Sequence, residues 1–284
     1  MAALATQAAP APAPAPLTAR PRRSFPVWRW AILLVAAVYF LLPLYAAIRF
    51  AGLHAFASVV TQAGFGSALW LSVKLAVVTW AITMLLMIPT TVYVHLRMPG
   101  MRRLLETITI LPIVIPPVVL IIGVLQVMPL ALRSSVWLLA IEYVVLAMPF
   151  AYRAIDAGLR SIDVKTLTEA SGSLGAGWLT TMWRVILPNM RTALLSATVL
   201  ILALVFGEFT MASLDLYVTL SVWIVQFDQL NAQMSEAASL LALFVTWLVL
   251  MLITVTATRQ NRRRGGGEVT LFSAATTTQT IGES

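Results

Sequence analysis

The residues of this chain that could do chemistry fall into two groups. One is Glu208, Thr210, Ser213 and Asp215 in VFGEFTMASLD, which puts two carboxylates and two hydroxyls in and just beyond an apolar run. The other is Glu169 to Pro188, EASGSLGAGWLTTMWRVILP, a polar, glycine-punctuated stretch between two apolar runs. A carboxylate inside an apolar run is costly and ordinarily faces a pore or a partner. The first group therefore reads as an acidic gate suited to a cation. It reads equally as a set of hydrogen bonds to a neighbouring subunit or to Lys74, the other charge at membrane depth. Glu142 is a lesser candidate of the same kind.

Catalytic chemistry finds little material. There is no cysteine, and the two histidines, His54 and His95, have no second ligand or nucleophile beside them, so neither a metal site nor a covalent mechanism is expected. The only lysines are Lys74 and Lys165, and G-x-x-x-x-G-K-[ST] does not occur. The chain has no phosphate-cradling loop with which to hydrolyse ATP.

The elements that must position these residues are transmembrane helices. Hydrophobic residues make up 60% of the 284, charged residues 11%, and the mean hydropathy is +0.90; this is a polytopic membrane protein. Six runs are long enough to cross about 30 Å of hydrocarbon: Val27 to Ile48, Ser67 to His95, Thr107 to Pro129, Ser135 to Tyr152, Asn189 to Ser213 and Glu236 to Thr258. They are continuously apolar, without the alternation of barrel strands, so the class is all-α. Pro112, Pro116 and Pro117 should kink the third.

Basic residues concentrate before the first run, between the second and third, around the fourth connection and after the sixth, which places both termini in the cytoplasm. The net charge of +8 is then a topology and lipid-surface signal, with no call for nucleic acid. Residues 1–26, containing APAPAPAP, are expected to be a disordered tail, as are residues 259–284. RRSF, Arg22 to Phe25, resembles part of an export signal, but the long run behind it and the five further spans favour a retained first helix.

The polar segment falls in the fourth connection, 153–188, too long for a simple turn. Asp163 offers an N-cap, Leu167, Ala170, Ser171 and Leu174 follow at helical spacing, and Gly172 and Gly175 loosen or end that helix. Helical periodicity restarts with Trp178, Met182 and Val185 before Pro188. The expectation is two short helices joined at glycine, with apolar residues exposed to a partner protein.

Glu169, Ala170 and Ser171, then Gly175 and Ala176, then Val185, Leu187 and Pro188 resemble the "E-A-A, three residues, G, nine residues, I/V-x-L-P" pattern of binding-protein-dependent ABC importer permeases. Ser171 stands where the second alanine is usual. The resemblance covers about Gly66 to Thr258. It implies the type I importer permease fold, with a five-helix core and an added N-terminal helix, in the plasma or inner membrane of a prokaryote. It also implies a second permease subunit, two cytoplasmic ATPase subunits that receive the loop and themselves carry ATP and Mg, and an external solute-binding protein. The permease itself would be non-catalytic and hold no cofactor. The text around Glu208 and ILPIVIPPVVL looks most like spermidine and putrescine permeases, with iron(III), phosphonate and sulfate systems nearby. An ion-coupled secondary transporter is the alternative, although no internal repeat supports it.

Overall fold

The computed structural model describes residues 27–133 and 135–279, with the side chains of Val27, of Leu53 and from 256 onward left undescribed. Every element among them is helical, as lipid demands of a backbone that cannot bond to water. In chain order they are α1 (Val27–Ala51), α2 (Leu53–Val59), α3 (Phe65–Arg97), α4 (Arg102–Val114), α5 (Pro117–Val127), α6 (Leu130–Arg133), α7 (Val136–Arg160), α8 (Val164–Ser173), α9 (Trp178–Thr181), α10 (Leu187–Asn189), α11 (Arg191–Gly207), α12 (Thr210–Leu214), α13 (Leu220–Asp228) and α14 (Ala232–Gln279). The expected tail 1–26 lies outside the described residues, and that at 259–284 lies beyond the described side chains.

Among the described residues five helices are long and apolar enough to cross a membrane, or six if a bent pair counts as one span. Residues 27–46 form a unit of their own, in which α1 presents exposed apolar side chains such as Leu34, Tyr39 and Phe40. The expected third span is not one continuous helix. It is α4 and α5, bent by 98° at their junction. The cause is the tandem proline: each proline biases the residue before it away from the helical region, and Ile115 and Pro116 are both extended, with ψ of 123° and 134°. The fifth span is interrupted as well, because α11 stops at Gly207 and Glu208 is extended with ψ 123°.

The remaining unit is built around α7, which packs against α3, α11 and α4. Leu139, Tyr143, Ala147, Ala151, Ile155 and Leu159 line its buried face. Apolar burial adds little between helices already in lipid, so close van der Waals packing over small residues must hold them. Gly158 is the clearest case: a Cβ built there would lie 2.3 Å from Ala193 Cβ on α11. Trp80 adds a cross-link, its indole N–H donating to Thr198 Oγ1 at 3.0 Å. A second, smaller cluster joins Val59, Ala68, Trp223, Ala237 and Ala238, with Trp223 stacked on Phe227. Pro149 interrupts the backbone bonding of α7 near its middle.

Candidate functional site

The expected hairpin is present, and each of its corners has a local cause. Asp163 caps α8: its carboxylate accepts from the Thr166 amide at 3.2 Å and from the Thr166 hydroxyl at 2.7 Å. These bonds, the hydroxyl's first, hold the Asp163 carboxyl below the usual carboxylate range. At the other end Gly175 adopts φ +78°. Its N–H donates to Gly172 O at 2.9 Å and the Ala176 N–H to Ser171 O at 3.0 Å, the two bonds of a Schellman ending. The glycine in the motif thus supplies a left-handed residue that turns the chain from α8 into α9.

Ser171 is buried, and its Oγ lies 2.8 Å from Thr181 Oγ1, also buried. The hydroxyl that replaces the usual methyl ties α8 to α9. Beyond α9 the chain widens into a π turn, Met182–Ile186. Pro188 has no N–H to give the Arg184 carbonyl, and the Leu187 N–H reaches back five residues to Met182 O. Val185, Leu187 and Pro188 are half-buried along this turn, and Ala176 is half-buried beside it. Of the face expected from Trp178, Met182 and Val185, Met182 is buried and Trp178 is the exposed member. Glu169 and Ala170 are exposed. Glu169 lines a cleft of about 420 Å³ together with Arg97, Lys165, Gly172 and Trp178.

A charged cluster ties the start of α4 to the end of α7 from which the hairpin leaves. Asp156, buried near the end of α7, accepts from Arg102 Nε and Nη2 at 3.0 Å each and pairs with Arg160 at 2.7 Å. Tyr152 donates to the Arg102 carbonyl at 3.4 Å. None of these four was among the residues expected to function. The Asp156 to Arg160 spacing of four is visible on one helix, but the Arg102 contact spans 54 positions and has no local signature.

The two helix breaks meet at the other group. A cavity of about 470 Å³ is lined by Pro112, Ile115 and Pro117 of the first break and by Gly207, Glu208 and Thr210 of the second. The expected acidic gate has another geometry. Glu208 is spent on the backbone, its carboxylate accepting from the Met211 amide at 3.0 and 3.1 Å and from the Ala212 amide at 3.4 Å. It caps α12 and so makes the break. Ser213 donates to the Thr210 carbonyl. Asp215 lies past α12 with both carboxylate oxygens buried. Lys74 lies over the Trp70 ring, 5.6 Å from its centroid.

Comparison with known proteins places this geometry. The family model described as "Binding-protein-dependent transport system inner membrane component" matches residues 95–266, more than half of the chain, and the chain belongs to that family. Among curated proteins it is similar to the molybdenum transport system permease protein ModB of Mycobacterium tuberculosis, 25% identical over 202 residues that cover 66% of this chain and 76% of the relative. It is also similar to the Escherichia coli K12 protein of the same name, 29% identical over 161 residues, 49% of this chain and 69% of the relative. The expectation of an inner-membrane transport permease stands. The spermidine and putrescine likeness finds no support among these relatives, and nothing favours a secondary transporter.

Proposed function

We propose that this inner-membrane component forms one half of the translocation pathway of an ATP-driven importer and pairs with a second permease subunit, identical or homologous. Two cytoplasmic ATPase subunits act on it through the hairpin 164–189, both termini lie on that side, and an external binding protein delivers the solute. The observation that carries this reading is the hairpin, whose motif residues Ser171, Gly175 and Pro188 each account for a corner of its shape. An exposed two-helix projection whose Val164, Met182 and Ile186 are packed into the core of the bundle suits rigid-body coupling between ATP-bound and ATP-free states.

For the solute we infer a tetrahedral oxyanion of the molybdate kind. The names of the relatives support it, and so does the chemistry of the acids. A cation pathway needs carboxylates presented to the solute, whereas Glu208 binds backbone amides and the Asp215 oxygens are buried. The cavity at the breaks also receives the N-terminal end of α5, the end that favours negative charge.

The test is ATP hydrolysis by the complex reconstituted in lipid, with its binding protein loaded with molybdate or with spermidine, comparing wild type with Gly175→Asp. Stimulation by molybdate-loaded protein that disappears in an assembled mutant upholds both parts of the reading. Stimulation by spermidine alone overturns the oxyanion. If no ATPase associates, the coupling role fails and an ion-coupled transporter becomes the better account.

A further inference from the structure

At the end of α7 remote from the hairpin lies a group of polar atoms that neither coupling nor the helix caps use. Glu142 is only 2% exposed, and both of its carboxylate oxygens lack any donor. Asp215, beyond α12, likewise has two buried oxygens without a donor, and it lies within hydrogen-bonding reach of Glu142. Beside them the fully buried Tyr143 hydroxyl also lacks a partner. The other titratable groups facing this pair are Glu208 and Tyr217, which bring no positive charge.

Among the described residues no cation acts on this pair. Lys74 is exposed against Trp70, Arg102 is held by Asp156 at the hairpin end, and Arg133 donates to the carbonyls of Met128 and Gln126. The ion pairs found among the described residues are those of Asp156.

Two ionised carboxylates cannot rest against each other away from water. Each carries a desolvation cost of several kcal/mol, their repulsion is not screened there, and such pairs share a proton or hold a cation. Four buried carboxylate oxygens whose one neighbouring donor is the neutral Tyr143 hydroxyl are a site lacking its positive partner. We infer that Glu142 and Asp215 together bind a single positive charge, a proton or a small alkali cation, taken from water at the end of the bundle opposite the hairpin. With that charge bound, an O–H···O bond or a bridging ion fastens the end of the broken fifth span to α7. Without it the two carboxylates push α12 away. The inference rests on burial and missing donors and does not depend on the solute.

The experiment uses the full permease complex in lipid nanodiscs, with the wild type, Glu142→Gln and Asp215→Asn. Each amide supplies a donor to the surviving carboxylate, so both variants should assemble. Infrared spectra at neutral pH should show a protonated-carboxyl carbonyl band in the wild type that both variants lose, if the charge is a proton. If it is an alkali cation, sodium chloride should raise the thermal midpoint of the wild type by several degrees over choline chloride, and Glu142→Gln should abolish the rise. Absence of both signatures in the wild type, or their persistence in both variants, overturns the inference.

Discussion

Replacing Gly158 by alanine should push α7 and α11 apart. The added Cβ would stand 2.3 Å from Ala193 Cβ and 3.3 Å from the Met190 methyl. The methionine tip can swing aside, but Ala193 Cβ is fixed to its backbone. Ordinary contact begins at 3.4 Å, so the helices must separate by about 1.1 Å at this crossing. Overpacking of this kind costs about 1–3 kcal/mol, or roughly 2–10 °C in melting temperature for a chain of this size. The assay is the thermal midpoint of the purified complex for Gly158→Ala, Ala193→Gly and the double variant. Ala193→Gly alone should lose about 1 kcal/mol through helix propensity. In the Gly158→Ala background it should instead stabilise, giving a coupling of about 1–2 kcal/mol. If Gly158→Ala melts like the wild type, or Ala193→Gly fails to rescue it, the close crossing is not what holds these helices together.

Three further outcomes follow from the hairpin and from the Asp156 cluster. Asp156→Asn should cost about 2 kcal/mol in thermal unfolding, less than the 3–5 of a fully buried pair, because the Arg160 side chain is 55% exposed. Arg102→Lys, which loses the forked contact but keeps the charge, should fall between that variant and the wild type. Gly175→Ala meets no atom within 4 Å, so its cost of about 1–2 kcal/mol is purely that of the left-handed backbone; faster hydrogen exchange at the Ala176 amide reads it, and Gly175→Asn should recover part of the loss. Because the folded Asp163 carboxyl sits below its ordinary value, its cap is at full strength above that ordinary value. It is lost as pH falls through the folded value. Protection of the Thr166 amide should follow that titration in the wild type and stay flat in Asp163→Asn.

The apolar runs were legible because a membrane helix needs only length and composition to be recognised. The hairpin was legible because Asp163 and Gly175 act on their immediate neighbours, so a one-dimensional pattern contains the whole cause. The breaks were less so. Pro116 and Pro117 were in plain view, but two adjacent prolines extend two adjacent residues, which turns a kink into a bend of 98°. The break at Glu208 comes from a side chain folding onto amides three and four residues ahead, and glutamate is not among the usual N-cap residues. Read from composition alone, its carboxylate belongs equally to a pore or to a partner; in the fold it bonds to backbone amides at the edge of a cavity. Asp156 escaped notice because its main partner, Arg102, lies on another helix and had a sufficient explanation in the charge bias across the membrane.

The missing backbone bond at Pro149 gives α7 a mechanical character. The helix is a rod of 25 residues, about 38 Å long at 1.5 Å per residue. At one end the Arg102, Asp156 and Arg160 contacts, with the hairpin just beyond, form a stiff joint; near the other end Glu142 faces Asp215. Pro149 lies between them, where the rod is most compliant. In the coupling role proposed for the hairpin, a load applied there would reach the far end as flexure about a fulcrum, and the stiffness of α7 around Pro149 would set how much of the stroke survives the journey.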